Sequence, residues 1–307
     1  MKEQNLFKQL QLDEELLQPP IWHKYVQPDG RVVWSPNKPI REEHDWLLYE
    51  LAMLDLEMPY ATGGVRHRNI FSNVQRHRAN RHFFQLDLAD AYGQVSLPLL
   101  AAKLFELGLP ETPENNHTRL QESFTPPEGG GLAQGGPASP MLFNIYCLDL
   151  DMELGAFCQE RGISYSRYLD DLTFSSPDTG FPTGDTIGKD KRRGIREIIA
   201  RHQLAIKEGK TRVTDLTRGP IRITGLQLNP GGKIQPATRD LRVARAQLIE
   251  IMHTSSDVKD VLEYAAGLKG WISANIDRHR RMSGEETALF IEAQGIIDMY
   301  GRGISRF

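Results

Sequence analysis

Three aspartates stand where a carboxylate is expensive. Asp170 and Asp171 are adjacent, between the strand-like Ile163-Ser164-Tyr165-Ser166-Arg167-Tyr168 and Leu172-Thr173-Phe174. Taken alone, the pair reads equally well as a solvated turn, since Asp favours turns. The apolar flanks instead imply a buried hairpin, in which two like charges need a cation. Asp87 closes a second hydrophobic run, Phe83-Phe84-Gln85-Leu86-Asp87-Leu88, which has the character of a central strand. If the run and the hairpin are neighbours, three carboxylates converge, and hard oxygen donors of that number suit Mg²⁺. Two such ions ~3.5–4 Å apart would activate a hydroxyl nucleophile and stabilise a leaving pyrophosphate.

Between these acids lies Gly131-Leu132-Ala133-Gln134-Gly135-Gly136-Pro137-Ala138-Ser139-Pro140, with Asn144 beyond it. Its glycines allow close backbone approach and unusual φ, and Gln134 can hydrogen-bond a base or sugar edge. In isolation the stretch is also a plain flexible loop before a helix. Ser139 is expected as the N-cap and Pro140 at the first helical position, with the helix running to about Gln159.

The elements that must carry these residues are mixed up to about residue 232. Val26 to Pro36 reads as a hairpin turning at Pro28-Asp29-Gly30. Helices are expected over Ile40–Glu57, Leu97–Leu107 and Lys189–His202, and strands over His82–Leu88, Ile163–Tyr168, Leu172–Ser175, Thr211–Val213 and Arg222–Leu228. Pro110–Gly136 and Pro177–Gly188 read as loops. From Thr238 the pattern is helical, and Ser283 with Glu286 forms a capping box for a last helix. This order predicts an α+β body, residues 1–232, and a helical appendage, residues 233–307.

The chain has 307 residues, 39% hydrophobic and 25% charged, which suits a folded, water-exposed protein rather than a disordered one. No apolar run approaches the ~20 residues needed to span a bilayer, so no membrane association is expected. Met1 to Leu17 has no signal-peptide core, which predicts a cytoplasmic location. The two cysteines, Cys147 and Cys158, lack metal-ligand spacing and read as buried free thiols. The net charge is −3, yet Arg66, His67, Arg68, Arg76, His77, Arg78, Arg81 and His82 crowd one segment. Arg239, Arg242 and Arg245 recur at every third position, and Arg278 to Arg281 form a third cluster. Each cluster alone is equally a solvated face. Together, on an acidic chain, they fit a nucleic-acid groove around an acidic centre.

In order and spacing, Asp87-Leu88-Ala89-Asp90-Ala91-Tyr92, then Gln134-Gly135 through Ser139-Pro140 and Asn144, then Tyr168-Leu169-Asp170-Asp171 resemble the reverse transcriptases. The resemblance implies a right-hand polymerase fold: fingers and palm built of antiparallel sheet packed on helices, and a C-terminal helical thumb that binds RNA and duplex. It implies RNA-directed DNA synthesis with Asp87, Asp170 and Asp171 catalytic, and with the same three and Leu88 at two Mg²⁺ ions, for which Mn²⁺ can substitute. Asp90 and Ala91 would offer backbone N–H groups to the dNTP triphosphate. Tyr92 would lie where a ribose 2′-OH would go. Gly30-Arg31 resembles the fingers hairpin that holds the triphosphate, with Arg41 a second contact. In Lys207-Glu208-Gly209-Lys210-Thr211, Lys210 is placed to protonate or bind the leaving pyrophosphate.

Further segments resemble the retron type. Asn73-Val74-Gln75-Arg76-His77 is similar to its Asn-Ala-x-x-His segment, and Ile223-Thr224-Gly225 to its Val-Thr-Gly segment, each departing at one residue. Gly267 to Arg281, with Trp271 and Arg278, resembles its thumb. Leu169 stands where retrons more often carry Ala. This likeness assigns Asn73, His77, Tyr168, Ile223, Thr224, Gly225, Trp271 and Arg278 to primer or RNA binding. It implies a structured non-coding RNA as template, priming from a guanosine 2′-OH, a role in antiphage defence, and an effector or toxin partner. A non-retron defence-associated enzyme, or an RNA-binding scaffold restraining an effector, are the competing readings.

Overall fold

The computed structural model describes residues 19–187, 194–254, 257–274 and 284–304. The chain divides into two compact units, the first from residues 1–67, 85–172 and 183–211, the second from 68–84, 173–182 and 212–307.

In the first unit the expected hairpin forms from β1 (Trp22–Val26) and β2 (Val32–Pro36), paired antiparallel from Trp22↔Pro36 to Val26↔Val32. Gly30 turns it at φ +83°. α1 (Lys38–Met53) follows, burying Ile40, His44, Leu47 and Leu51 on one face at helical spacing. β3 (His82–Asp87) and α3 (Leu97–Glu106) lie where the hydrophobic pattern puts them. The segment expected to be loop between Pro110 and Gly136 contains α4 (Pro113–Ser123), capped by Thr112, whose side chain accepts from Asn115 N–H. Only Leu120 of its apolar residues is buried, so the stretch carries too little hydrophobic period to announce a helix.

The long helix expected from Ser139 is two helices, α5 (Ser139–Tyr146) and α6 (Leu148–Gln159), which meet at Cys147. Ser139 is not the cap. Ala138 is, and the Ser139 hydroxyl instead donates to Ala133 C=O at 2.7 Å, closing the glycine-rich loop on itself. β4 (Ser164–Tyr168) and β5 (Asp171–Ser176) form the hairpin around Leu169-Asp170. The loop after it contains a short helix, α7 (Gly184–Ile187), and the basic helix is α8 (Ile195–Arg201). Cys147 and Cys158 are free and buried.

The second unit carries α2 (Ile70–Gln75), begun by a reciprocal Asn69–Ser72 capping box. β6 (Arg212–Asp215) comes next in the chain. The strand expected over Arg222–Leu228 is two, β7 (Ile221–Ile223) and β8 (Leu226–Leu228), because Thr224-Gly225 turns the chain at φ +44° and +88°. β9 (Ile234–Pro236) completes an antiparallel sheet in the order β7-β8-β9. Its apolar face packs with Val74 and Phe83 in a core that includes Leu216, Ile223 and Leu228. α9 (Thr238–Thr254), α10 (Val258–Ala274) and α11 (Gly284–Ile304) are the expected C-terminal helices, joined by a core of Leu241, Leu248, Ala265, Leu268, Leu289 and Ala293. The capping box expected at Ser283 and Glu286 lies outside the described side chains.

A four-stranded sheet in the order β4-β5-β3-β6 puts the hairpin strand β5 beside β3. That adjacency is what brings the two acidic segments together.

Candidate active site

Asp87 ends β3 with its side chain buried, and Asp170-Asp171 occupy the β4–β5 turn. The backbone registers them: Leu88 N–H donates to Asp170 C=O at 2.9 Å. On the other side, Ala89 N–H donates to Ala205 C=O at 2.9 Å and Lys207 N–H to Asp87 C=O at 2.8 Å. The segment that follows α8 therefore runs alongside Asp87–Ala89, and a short 3₁₀ turn at Glu208–Lys210 delivers the Lys210 ammonium to Asp87.

The electrostatics are those of an under-neutralised acidic site. Burial raises the Asp170 carboxyl above its usual range, and the Asp87 charge raises it further, while Lys210 and Arg31 pull it back. Lys210 is held above the ordinary lysine value mainly by its hydrogen bond to Asp87. Arg31 sits just past the hairpin turn, its Nε donating to Asp29 Oδ2 at 2.6 Å. The charges that act on Asp170 come from segments far apart in sequence.

Among the described residues no three Asp, Glu, His or Cys side chains form a closed metal cage. Asp87 is instead engaged by an ammonium. The donors still suit a hard divalent cation. They are carboxylate oxygens, Asp170 is destabilised as an anion by its neighbour, and an ion that keeps several waters does not need a full protein shell.

Tyr92 follows on a tight turn in which Gln94 N–H donates to Asp90 C=O at 3.0 Å. Its ring lies 5.4 Å from that of Phe143. Burial, with the Asp170 charge second, pushes its hydroxyl up to about 12, so it stays a neutral phenol within Asp170's field. Leu132 N–H donates to the Tyr92 carbonyl at 2.9 Å, and a Cβ on Gly131 would stand 2.3 Å from that oxygen. That contact explains the first glycine of the loop. Asp90 is exposed at φ +40° and Ala91 is buried.

The Gln134 loop is tied down rather than free. Trp34 N–H in β2 donates to Gln134 C=O at 2.8 Å, and Gly135, at φ +108°, passes so close that a Cβ would lie 2.4 Å from Trp34 O. His44 holds the other end: Ala138 N–H donates to its Nδ1 at 3.1 Å, while Nε2 lies 2.9 Å from Ser123 O. Burial lowers His44 to about 4, which keeps it neutral and able to accept at Nδ1. His44 was not singled out from sequence. Its helical position among Ile40, Leu47 and Leu51 was the available signal.

Beneath the Asp170-Asp171 turn lies a second group that sequence reading passed over. Arg167 is fully buried in β4, its Nε and Nη2 clamping Asp151 at 2.9 and 2.6 Å. The only hint in sequence was a cation placed inside an apolar strand.

Residues 48–228, more than half the chain, match the family described as reverse transcriptase (RNA-dependent DNA polymerase). This chain belongs to the reverse transcriptase family. Its curated relatives include the retron Mx162 reverse transcriptase of Myxococcus xanthus, 27% identical over 266 residues covering 79% of this chain and 54% of the relative. The retron Ec86 reverse transcriptase of Escherichia coli is 24% identical over 259 residues, covering 82% and 74%. The chain thus spans about half the length of the Mx162 relative. In fold, the chain resembles apo telomerase from Candida tropicalis, with TM-score 0.54 and 12% identity over 93% of this chain and 59% of that one. A Candida albicans telomerase, solved with a TWJ fragment of telomeric RNA, matches at TM-score 0.51 and 13% identity, over 96% and 64%.

The remaining residues expected at the site have these places in the chain. Arg41 is exposed on the first turn of α1, and the cations acting on Asp170 are Lys210 and Arg31. Tyr168 is half-buried, its hydroxyl raised by burial and by Asp171. In the second unit Asn73 and His77, expected to touch RNA, are fully buried, as is the Ile223 side chain. Asn73 Nδ2 donates to Thr224 Oγ1 at 3.2 Å, and His77 Nδ1 lies 2.7 Å from Ser175 Oγ. Asn73 thus lies against the Thr224 side chain and His77 against Ser175 of β5, as buried polar groups hydrogen-bonded within the fold. Trp271 belongs to α10, and its side chain, like Arg278 altogether, lies outside the described residues. No helix among the described residues is long and apolar enough to cross a membrane.

Proposed function

We propose that this chain is a retron-type RNA-directed DNA polymerase that copies a structured non-coding RNA by two-metal-ion nucleotidyl transfer. The observation that carries the reading is geometric: β5 lies beside β3 and Leu88 N–H donates to Asp170 C=O at 2.9 Å, which brings the Asp170-Asp171 turn to Asp87 and its Lys210 partner. Such a site favours further positive charge and a polyanionic substrate.

Asp87, Asp170 and Asp171, with the Leu88 backbone, would hold the divalent ions. When bound, Mg²⁺ supplies activation of the primer hydroxyl and charge stabilisation of the leaving pyrophosphate. Arg31 binds the triphosphate from the hairpin. Lys210 exchanges its Asp87 contact for the phosphates and donates to or neutralises the leaving group. The Asp90 and Ala91 backbone orients the same phosphates. Tyr92, backed by Phe143, fills the space of a 2′-OH and so selects deoxynucleotides. Gln134, on its tethered loop, meets the base or sugar edge. Residues 1–232 act as fingers and palm, and 233–307 as the thumb on the duplex. Thr224 and Gly225 face the RNA, supported by Asn73 and His77, and Tyr168 lies toward the primer. Priming from a guanosine 2′-OH, a defence role and an effector partner complete the retron reading, supported by the relatives' similarity.

Purified protein incubated with its RNA, Mg²⁺ and the four dNTPs is expected to yield DNA joined to RNA through a branch. Absence of product, or full activity in an Asp170→Asn, Asp171→Asn double variant, rejects the polymerase reading. Random or homopolymeric DNA without a branch rejects the retron type.

A further inference from the structure

Leu169, between Tyr168 and the acidic pair, has φ +55°. A non-glycine residue in this region carries a cost of roughly 1–2 kcal/mol, so something must hold it there. Arg167 Nη1 donates to the Leu169 carbonyl at 3.1 Å and to Asn144 Oδ1 at 2.9 Å. The rest of the guanidinium is fixed by Asp151, which also accepts from the Tyr165 hydroxyl at 2.7 Å. Asn144 is oriented in turn, because its Nδ2 donates to Gly63 C=O at 2.8 Å. Gly63 lies against the same turn: a Cβ there would meet Leu169 Cγ at 2.9 Å. The backbone adds two more anchors. Arg167 N–H donates to Tyr60 C=O at 3.0 Å, and Thr62 N–H donates to Arg167 C=O at 2.7 Å. The guanidinium also stacks over Phe143 at 5.5 Å from its centroid, and Phe143 is the ring behind Tyr92.

We infer that Arg167 is a positioning residue for the metal-binding turn, its guanidinium fork fixing the Leu169 carbonyl and so the placement of Asp170 and Asp171 against Asp87. The inference rests on the polymerase reading for its consequence and on the contacts above for its geometry. A planar fork can grip Asp151 and reach Asn144 and Leu169 together, whereas a lysine ammonium in the same space can neutralise Asp151 without spanning all three. Arg167→Lys therefore separates positioning from charge balance.

The test measures Mn²⁺ binding to the free full-length protein by electron paramagnetic resonance, and DNA synthesis per folded molecule in parallel. Arg167→Lys is expected to weaken Mn²⁺ binding by about 10- to 100-fold, the range seen when groups that orient metal ligands are removed, with kcat falling alongside. Asn144→Ala keeps the Arg167–Asp151 pair, and is expected to move both readouts in the same direction by less. Arg161→Ala, which removes an exposed pair with Glu160, is expected to change neither. Wild-type Mn²⁺ affinity and turnover in Arg167→Lys would overturn the inference, leaving charge balance alone. If that variant does not fold, unchanged Mn²⁺ affinity in Asn144→Ala overturns it equally. The binding readout needs no RNA or dNTP, so a wild type that binds Mn²⁺ without making DNA counts against the polymerase reading, while the affinities still decide this one.

Discussion

Leu169 and Thr224, two of the non-glycine residues held in the left-handed region, are supported in opposite ways. Leu169 is held from below by a buried ion pair, Arg167–Asp151, with Asn144 as bridge. Thr224 is held by a neutral donor, Asn73, and elsewhere in the same unit His77 and Asn80 form a second neutral cluster on Ser175. The acidic turn presents two carboxylates, and the guanidinium beneath it, already paired with Asp151, grips the turn through the Leu169 carbonyl. The Thr224-Gly225 turn presents no charge, so neutral donors suffice, and a charged group there would have nothing to neutralise. Each turn thus has a different weakness. The first is vulnerable to loss of a partner charge, the second to loss of a neutral donor, and the His77 cluster of the same unit to acid.

The largest expected effect tests the first. Asp151→Ala strands the Arg167 charge and is expected to cost about 3–5 kcal/mol in urea unfolding. Adding Arg167→Met to Asp151→Leu removes both charges, and is expected to restore most of that stability, since well-packed apolar replacements of buried pairs are often neutral or better. DNA synthesis is expected to stay low in the restored protein. Recovery of both stability and synthesis would erase the distinction between holding the fold and holding the turn.

A smaller effect tests the His77 cluster. His77→Leu leaves Ser175 short of a partner and is expected to cost about 1–3 kcal/mol by the same measurement. Acid sharpens the contrast. Burial lowers His77 to about 3, whereas the unfolded chain takes up its proton near the ordinary histidine value. The stabilisation from keeping His77 neutral is therefore complete above that ordinary value, and is lost as pH falls from it toward about 3. Unfolding titrations between neutral pH and pH about 4 are expected to show a shallower loss in His77→Asn than in wild type. The residual slope includes His44, whose pKa of about 4 gives the same sign. Arg167, raised rather than lowered, contributes no slope in this window. The smallest effect is Asn73→Ala, which removes one donor to Thr224, at about 0.5–1.5 kcal/mol.

Much of the site was legible in sequence because its chemistry is local. Asp87 at the end of an apolar run, the Asp170-Asp171 pair between two strand-like runs, and the glycines around Gln134 each announce themselves within ten residues or so of chain. The helix Pro113–Ser123 did not, since a polar surface helix has almost no hydrophobic period. The break at Cys147 and the turn at Thr224-Gly225 did not, because both are set by what packs against them. Asn73 and His77 were readable as a motif, but their full burial was not, since it depends on what packs against them.

The sequence by itself determined the family, the α+β order of elements and the identity of the three acids, since residue type and spacing are enough to specify charge, periodicity and turn chemistry. Only the tertiary structure decided which cation answers Asp87 and which one braces the acidic turn. Lys210 reaches Asp87 across 123 positions, and Arg167 reaches Asp151 and Asn144 across 16 and 23. The physical reason is that burial and pairing are properties of proximity: a basic residue in sequence is a solvated charge until the fold puts a carboxylate beside it, and for Arg167 also takes its water away.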